Sequence, residues 1–122
     1  MSSRVEFSPR FLRALDAMAL HYGEMRGKHP DAGAVLDKFL ADLEDEVIPL
    51  LARQPGVGAP IALHGDGFED SEQLAIRIAH AARRSRVAAR QWRVGPFWLL
   101  YIEIGDCVTL LSARHERQRD YP

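Results

Sequence analysis

The chain has 122 residues, 47% hydrophobic and 27% charged, the balance of one globular domain that can bury most of a single core without disulfide help. No apolar run approaches the ~20 residues that span a bilayer, and Met1–Phe7 lacks the apolar centre of a secretory signal. The net charge of −1 divides into −6 over residues 1–76 and +5 over residues 77–122, where all nine basic residues are arginine; that half suits an RNA backbone or an acidic protein partner as well as a solvated surface.

Arg4-Val-Glu-Phe7 reads as a short strand. Ser8-Pro9 then offers an N-cap followed by proline at the first helical position, so a helix should start there. Phe11, Leu12, Leu15, Met18, Ala19 and Tyr22 recur on one helical face, and Gly23 is a C-terminal stop. After a polar connector to Pro30, Asp31 is expected to cap a second helix with the face Val35, Phe39, Leu40, Leu43 and Val47. Pro49 should end or kink that helix after Glu46. Two helices of similar length joined by a short polar loop predict a helix hairpin.

From Gln54 to Gly67 the chain is rich in Gly and Pro and reads as a loop of fourteen residues, longer than the usual connection. Asp70 with Gln73 resembles a capping box. Leu74, Ile78 and Ala81 or Ala82 continue at helical spacing into Arg83, Arg84 and Arg86, which predicts a third helix, although Leu74, Ile76 and Ile78 also alternate as a strand would. The last third carries the β pattern. Ala88–Val94, Phe97–Ile104 and Cys107–Ala113 are separated by Gly95-Pro96 and Gly105-Asp106, two-residue turns with glycine first. The expected register sets Ile104 opposite Cys107, Leu100 opposite Leu111, Trp98 opposite Ala113 and Phe97 opposite Arg114, with His115 near Pro96 on the face of Trp98. The single cysteine, Cys107, cannot form an internal disulfide and suits a reducing cytoplasm. It lacks a local His or acid partner and reads as a small strand residue.

The fold class is therefore α+β in one domain, 1–122: an N-terminal strand and helix hairpin, an additional helix within an insert-like stretch at about 54–85, and a C-terminal antiparallel β-meander. This order resembles the RelE/ParE superfamily of toxins from bacterial type II toxin-antitoxin systems. Two stretches carry the resemblance, VEFSPRFLRALDAM at the start and FWLLYIEIGDCVTLLSARHERQRDY at the end. The second is similar to the family's final hairpin, which runs aromatic, Arg, apolar, apolar, Tyr, a Gly/Asp turn, a hydrophobic strand and a His/Arg-rich close ending in Tyr. Here Trp98 stands where the family has arginine. The insert has no counterpart in the compact members.

The resemblance implies a growth-inhibiting toxin held inactive by a cognate antitoxin. Two mechanisms share the fold, ribosome-dependent mRNA cleavage and non-enzymatic poisoning of DNA gyrase, and an inactive antitoxin-binding remnant is a third reading. RNA cleavage by 2′-hydroxyl attack needs a base, positive charge for the phosphorane and an acid for the leaving 5′-oxygen. His115 lies where ribonucleolytic relatives place a catalytic arginine or histidine. Arg114 and Arg117 are candidate phosphate clamps, and Tyr121 a nucleotide-orienting group or proton shuttle. Tryptophan cannot replace the charge of the family arginine. Arg93 on the neighbouring strand is the candidate to do so, while Trp98 either stacks a base or packs the sheet against a helix. Arg90 lies on the strand where nuclease members carry lysines, and Arg83, Arg84 and Arg86 form either a partner-binding cluster or a solvated helix end. His21, His29, His64 and His80 are scattered singly without ligand spacing, so no metal or other cofactor is expected. Ser8 and Ser71 are read as cap or first-turn residues.

Overall fold

The structure is a computed structural model that describes residues 3–25, 31–60 and 87–118. Strand β1 is Arg4–Phe7, as its sequence predicts. At its end the Ser8 hydroxyl oxygen accepts the amide of Phe11 at 3.1 Å, the N-cap bond to the third helical residue. With proline next in line, helix α1 runs from Pro9 to Met25. The same hydroxyl donates to the carbonyl of Leu111 at 3.3 Å, so the cap also ties α1 to the sheet. The buried face of α1 is Phe11, Ala14 and Met18, with Leu15 and Tyr22 partly buried. Leu12 and Ala19, expected on that face, are exposed.

Helix α2 spans Ala32–Asp42. Asp31 does not cap it; the residue already has helical backbone angles, φ −80° and ψ −10°, and its side chain makes no cap bond. Nor does Pro49 end the second helix. A π turn covers Leu43–Val47, in which the amide of Ile48 donates to the carbonyl of Leu43, and helix α3 continues over Ile48–Arg53. A proline inside an α-helix removes one i→i−4 donor and crowds the carbonyl four residues back. The π turn resets the ladder just before Pro49, which then falls in the first turn of a new α segment, where its donor is not required. The buried positions are Leu36, Phe39, Leu43, Val47 and Leu51, whereas Val35 and Leu40 are exposed. The apolar stripe therefore lies one step round from the expected one and runs past the proline.

The sheet has five strands in the order β1-β5-β4-β3-β2. Strand β2, Ala59–Pro60, pairs with β3 and is a short strand inside the stretch read as a loop. Strands β3 (Val87–Val94), β4 (Phe97–Ile104) and β5 (Cys107–His115) form the predicted antiparallel meander. Gly95 and Gly105 have φ of +58° and +63°, the sign that a two-residue hairpin with glycine first requires. β1 pairs parallel with β5, which makes the sheet mixed. The predicted third helix, Arg83, Arg84, Arg86, Ser71, His29, His64, His80 and Tyr121 lie outside the described residues.

The register departs from the expected one halfway along β5. Ile104 does face Cys107, but a bulge between Leu100 and Tyr101 on one side and Leu110 and Ser112 on the other leaves Leu111 as the extra residue. Beyond it Leu100 faces Ser112, Trp98 faces Arg114 and Phe97 faces His115. One inserted residue moves every later side chain to the other face. His115 accordingly shares its face with Phe97 and not with Trp98.

The helices cover one face of the sheet. Phe11, Met18, Leu36, Phe39, Leu43, Val47 and Leu51 pack on Val94, Phe97, Leu99, Tyr101, Val108, Leu110 and Ala113. The rings of Phe39 and Phe97 meet with centroids 4.5 Å apart. Leu100, Ile102, Thr109 and Ser112 alternate to the other face and are buried as well, in keeping with the two-sided apolar pattern of β4. Cys107 is buried, with its Sγ 3.9 Å from Thr109 Oγ1. No helix among the described residues is long and apolar enough to cross a membrane.

Candidate functional site

Where β5 leaves the sheet, its last residue is folded into a tight turn. The amide of Glu116 donates to the carbonyl of Pro96 at 2.8 Å, extending the β4-β5 hairpin by one bond, and the amide of Gln118 donates to the carbonyl of His115 at 2.9 Å. The His115 amide donates to Gln118 Oε1 at 2.7 Å. Arg114 reaches along the same turn to donate from Nη1 to the Gln118 carbonyl at 2.9 Å. The imidazole is fixed too. Its Nδ1 accepts the amide of Arg117 at 3.1 Å, and its ring stands edge-on to Phe97 at 5.4 Å and 89°. With Nδ1 accepting, the neutral ring carries its proton on Nε2, so His115 is held as a donor tautomer.

His115 lines a cavity of about 510 Å³ between α1 and the end of the sheet. Its walls are Ala14, Ala17, Met18, Phe97 and Ala113; its polar groups come from His21, Tyr22, His115, Arg117 and Gln118. α1 contributes through one stripe, since positions 14, 17, 18, 21 and 22 fall on neighbouring turns of a helix. Tyr22 packs edge-on against Phe97 at 6.2 Å and against His21 at 5.6 Å. Burial pushes the Tyr22 phenol above its ordinary value of 10.0, so its hydroxyl stays a proton-bearing donor at neutral pH. In the sequence His21 is an isolated histidine without ligand spacing. The only signal that pointed to it was its place on the α1 stripe, beside Met18 and Tyr22.

The opposite face carries a different arrangement. Arg93 on β3, Trp98 on β4 and Arg114 on β5 form one cross-strand row. The two guanidinium carbons lie 5.7 and 5.8 Å from the indole centroid, within the range of a cation-π contact. Arg93 also donates from Nε to the Gly95 carbonyl at 2.9 Å and forms an ion pair with Glu116. Arg93 thus flanks the position where the resemblance expects arginine, and Trp98 sits between two guanidiniums. The candidates divide into two groups: His115 and Arg117 in the helix-side cavity, and Arg93, Trp98 and Arg114 on the far face.

Arg90 belongs to neither. Its Nε donates to Glu103 Oε1 at 2.8 Å and its Nη1 to the Gly58 carbonyl at 2.8 Å, so it holds the segment before β2 onto the sheet. No group of three or more His, Cys, Asp or Glu placed to hold a metal ion occurs among the described residues. A comparison with protein-family models and with curated proteins found no match.

Proposed function

We propose that the chain is the toxin of a RelE/ParE-type toxin-antitoxin pair and acts as a ribosome-dependent, metal-independent endoribonuclease whose chemistry occurs in the cavity between α1 and β5. The observation that carries this reading is that two histidines, His21 and His115, line one cavity together with Arg117. The order of strand, helix pair and meander with a basic close, on which the resemblance rests, accompanies it.

In this mechanism His21 takes the proton of a 2′-hydroxyl. The freed oxygen attacks phosphorus, the bond from phosphorus to the 5′-oxygen breaks, and His115 Nε2–H gives its proton to that leaving oxygen. Arg117 stabilises the added negative charge of the phosphorane. The products are a 2′,3′-cyclic phosphate and a 5′-hydroxyl end. The test is purified protein on ribosomes programmed with mRNA, read by primer extension. Discrete cuts are expected, and His115→Ala or His21→Ala should each slow them by about 10²- to 10⁴-fold. Cutting that survives both substitutions would remove the cavity from the chemistry.

A second reading, non-enzymatic inhibition of DNA gyrase, is favoured by the separation of Arg93, Trp98 and Arg114 from His115 on the two faces of the sheet. Charge and acid-base group need not converge for a protein that only binds its target. A supercoiling assay responds to this reading alone. A wild-type chain that neither cuts RNA nor affects gyrase would be an antitoxin-binding remnant.

A further inference from the structure

We infer that the cavity between α1 and β5 is a slot for one unstacked ribonucleotide, the nucleoside on the 5′ side of the cut, with its base against Ala17 and Tyr22 of α1 and its 3′-phosphate at Arg117 and His115. The inference rests on the ribonuclease reading and names the part of the substrate that the site grips.

The size and the lining both favour such an occupant. The volume of about 510 Å³ falls within the range of sites that enclose a small ligand. Three of the wall residues are alanines, at 14, 17 and 113, and their short side chains leave a slot that larger residues at the same positions would fill. The rings of Tyr22, Phe97 and His115 meet edge-on in sequence. Phe97 is fully buried, so the half-buried rings of Tyr22 and His115 are the aromatic surface that a base meets once it has left a stack. The polar residues of the lining, Tyr22, His21, His115, Gln118 and Arg117, supply the kinds of donor that a sugar phosphate needs. A purely apolar side chain from a protein partner would match the walls but offer these donors no acceptor of its own. A nucleotide satisfies both halves of the lining.

Binding is measured by calorimetry or by NMR titration of the whole chain, so that it does not depend on catalysis. The probes are the four ribonucleoside 3′-monophosphates, their 2′-deoxy counterparts and inorganic phosphate. At least one ribonucleotide should bind about tenfold or more tightly than inorganic phosphate. Ala17→Trp fills the slot from an exposed position of α1, and should lower nucleotide affinity about tenfold while leaving the weak phosphate binding in place. Arg117→Ala should weaken both and flatten their salt dependence. Lys38→Ala, on α2 and paired with Asp42, is the control with unchanged binding. Circular dichroism and thermal melting confirm that each variant is folded.

Nucleotides that bind no better than phosphate would overturn the inference. So would an Ala17→Trp chain that binds like the wild type, or an aromatic peptide that fills the slot while nucleotides do not. Nucleotide binding by a chain that cuts no RNA would instead remove the enzymatic reading and leave the slot. RNA cutting that is indifferent to Ala17→Trp would remove the slot alone.

Discussion

Tyr101 shows how one polar atom in a core position is made tolerable. Its ring is fully buried, and its hydroxyl donates to the Pro55 carbonyl at 2.8 Å while accepting the Gly58 amide at 2.8 Å. Glycine is required opposite it, because a Cβ at position 58 would lie 2.6 Å from the tyrosine oxygen and 2.7 Å from the Gln91 carbonyl. Tyr101→Phe keeps the ring and leaves the buried Gly58 amide without its acceptor, which should cost about 1 to 3 kcal/mol in urea unfolding. A change of a few tenths would mean that water replaces the hydroxyl. Burial, the largest cause, raises the Tyr101 phenol above its ordinary value of 10.0, with Glu103 adding to it and the Gly58 bond and Arg90 opposing it. A folded-state value above the unfolded one means that the folded chain keeps its proton longer. The stability this provides is whole below the unfolded value and falls as pH rises through the folded one. Urea midpoints measured across the alkaline range should therefore fall above pH 10.0, less steeply in Tyr101→Phe than in the wild type. Equal slopes would assign the alkaline loss to other groups.

At the level of elements, the sequence was readable wherever a local rule acts alone. Ser8-Pro9 starts a helix because a hydroxyl and a fixed φ suffice, and glycine at 95 and 105 sets two hairpins because positive φ is cheap only there. It was not readable where the outcome depends on neighbours that lie far off in sequence. Leu111 carries no mark of a bulge: it is one apolar residue in an apolar strand, yet it reverses the faces of Arg114 and His115. The helix through Pro49 is the second case, since the π turn that admits the proline is sustained by Leu43, Val47 and Leu51 packing on the sheet. The site shares this limit. His115 could be singled out from its place at the strand end, but its face depended on the bulge, and His21 joins it only through the packing of α1 on β5. The bulge residue itself is fully buried, and Ser8 donates to its carbonyl. Leu111→Ala should cost about 2 to 5 kcal/mol in urea unfolding. A loss of only a few tenths would mean that the bulge relaxes and closes the space.

Over the whole molecule, the sheet acts as a partition between two candidate surfaces, and this makes the two mechanisms separable in cells. The helix-side cavity is lined by His21 and His115, the proposed acid-base pair, and the far face holds Arg93, Trp98 and Arg114 in a row. An enzyme concentrates its dependence on the reacting groups, whereas a binding surface spreads energy over several contacts, with Trp and Arg the residue types that most often dominate it. Induced expression in bacteria distinguishes them through two sets of substitutions. If growth arrest comes from RNA cleavage, His115→Ala should abolish it, since a loss of about 10²-fold or more in rate leaves too little activity to stop growth. The pair Arg93→Ala with Trp98→Ala should then weaken it only as far as the far face guides RNA. If growth arrest comes from a bound target, the far-face pair should relieve it and His115→Ala should do little. Both variants need to be shown folded, because Arg93 also holds Glu116 beside the turn that carries His115. The cross-strand row predicts a further sign: relief through the far face should weaken as intracellular salt rises, because charge-driven association is screened over about 10 Å. Growth arrest untouched by either set would remove both surfaces from the toxic action and assign it to residues elsewhere in the chain.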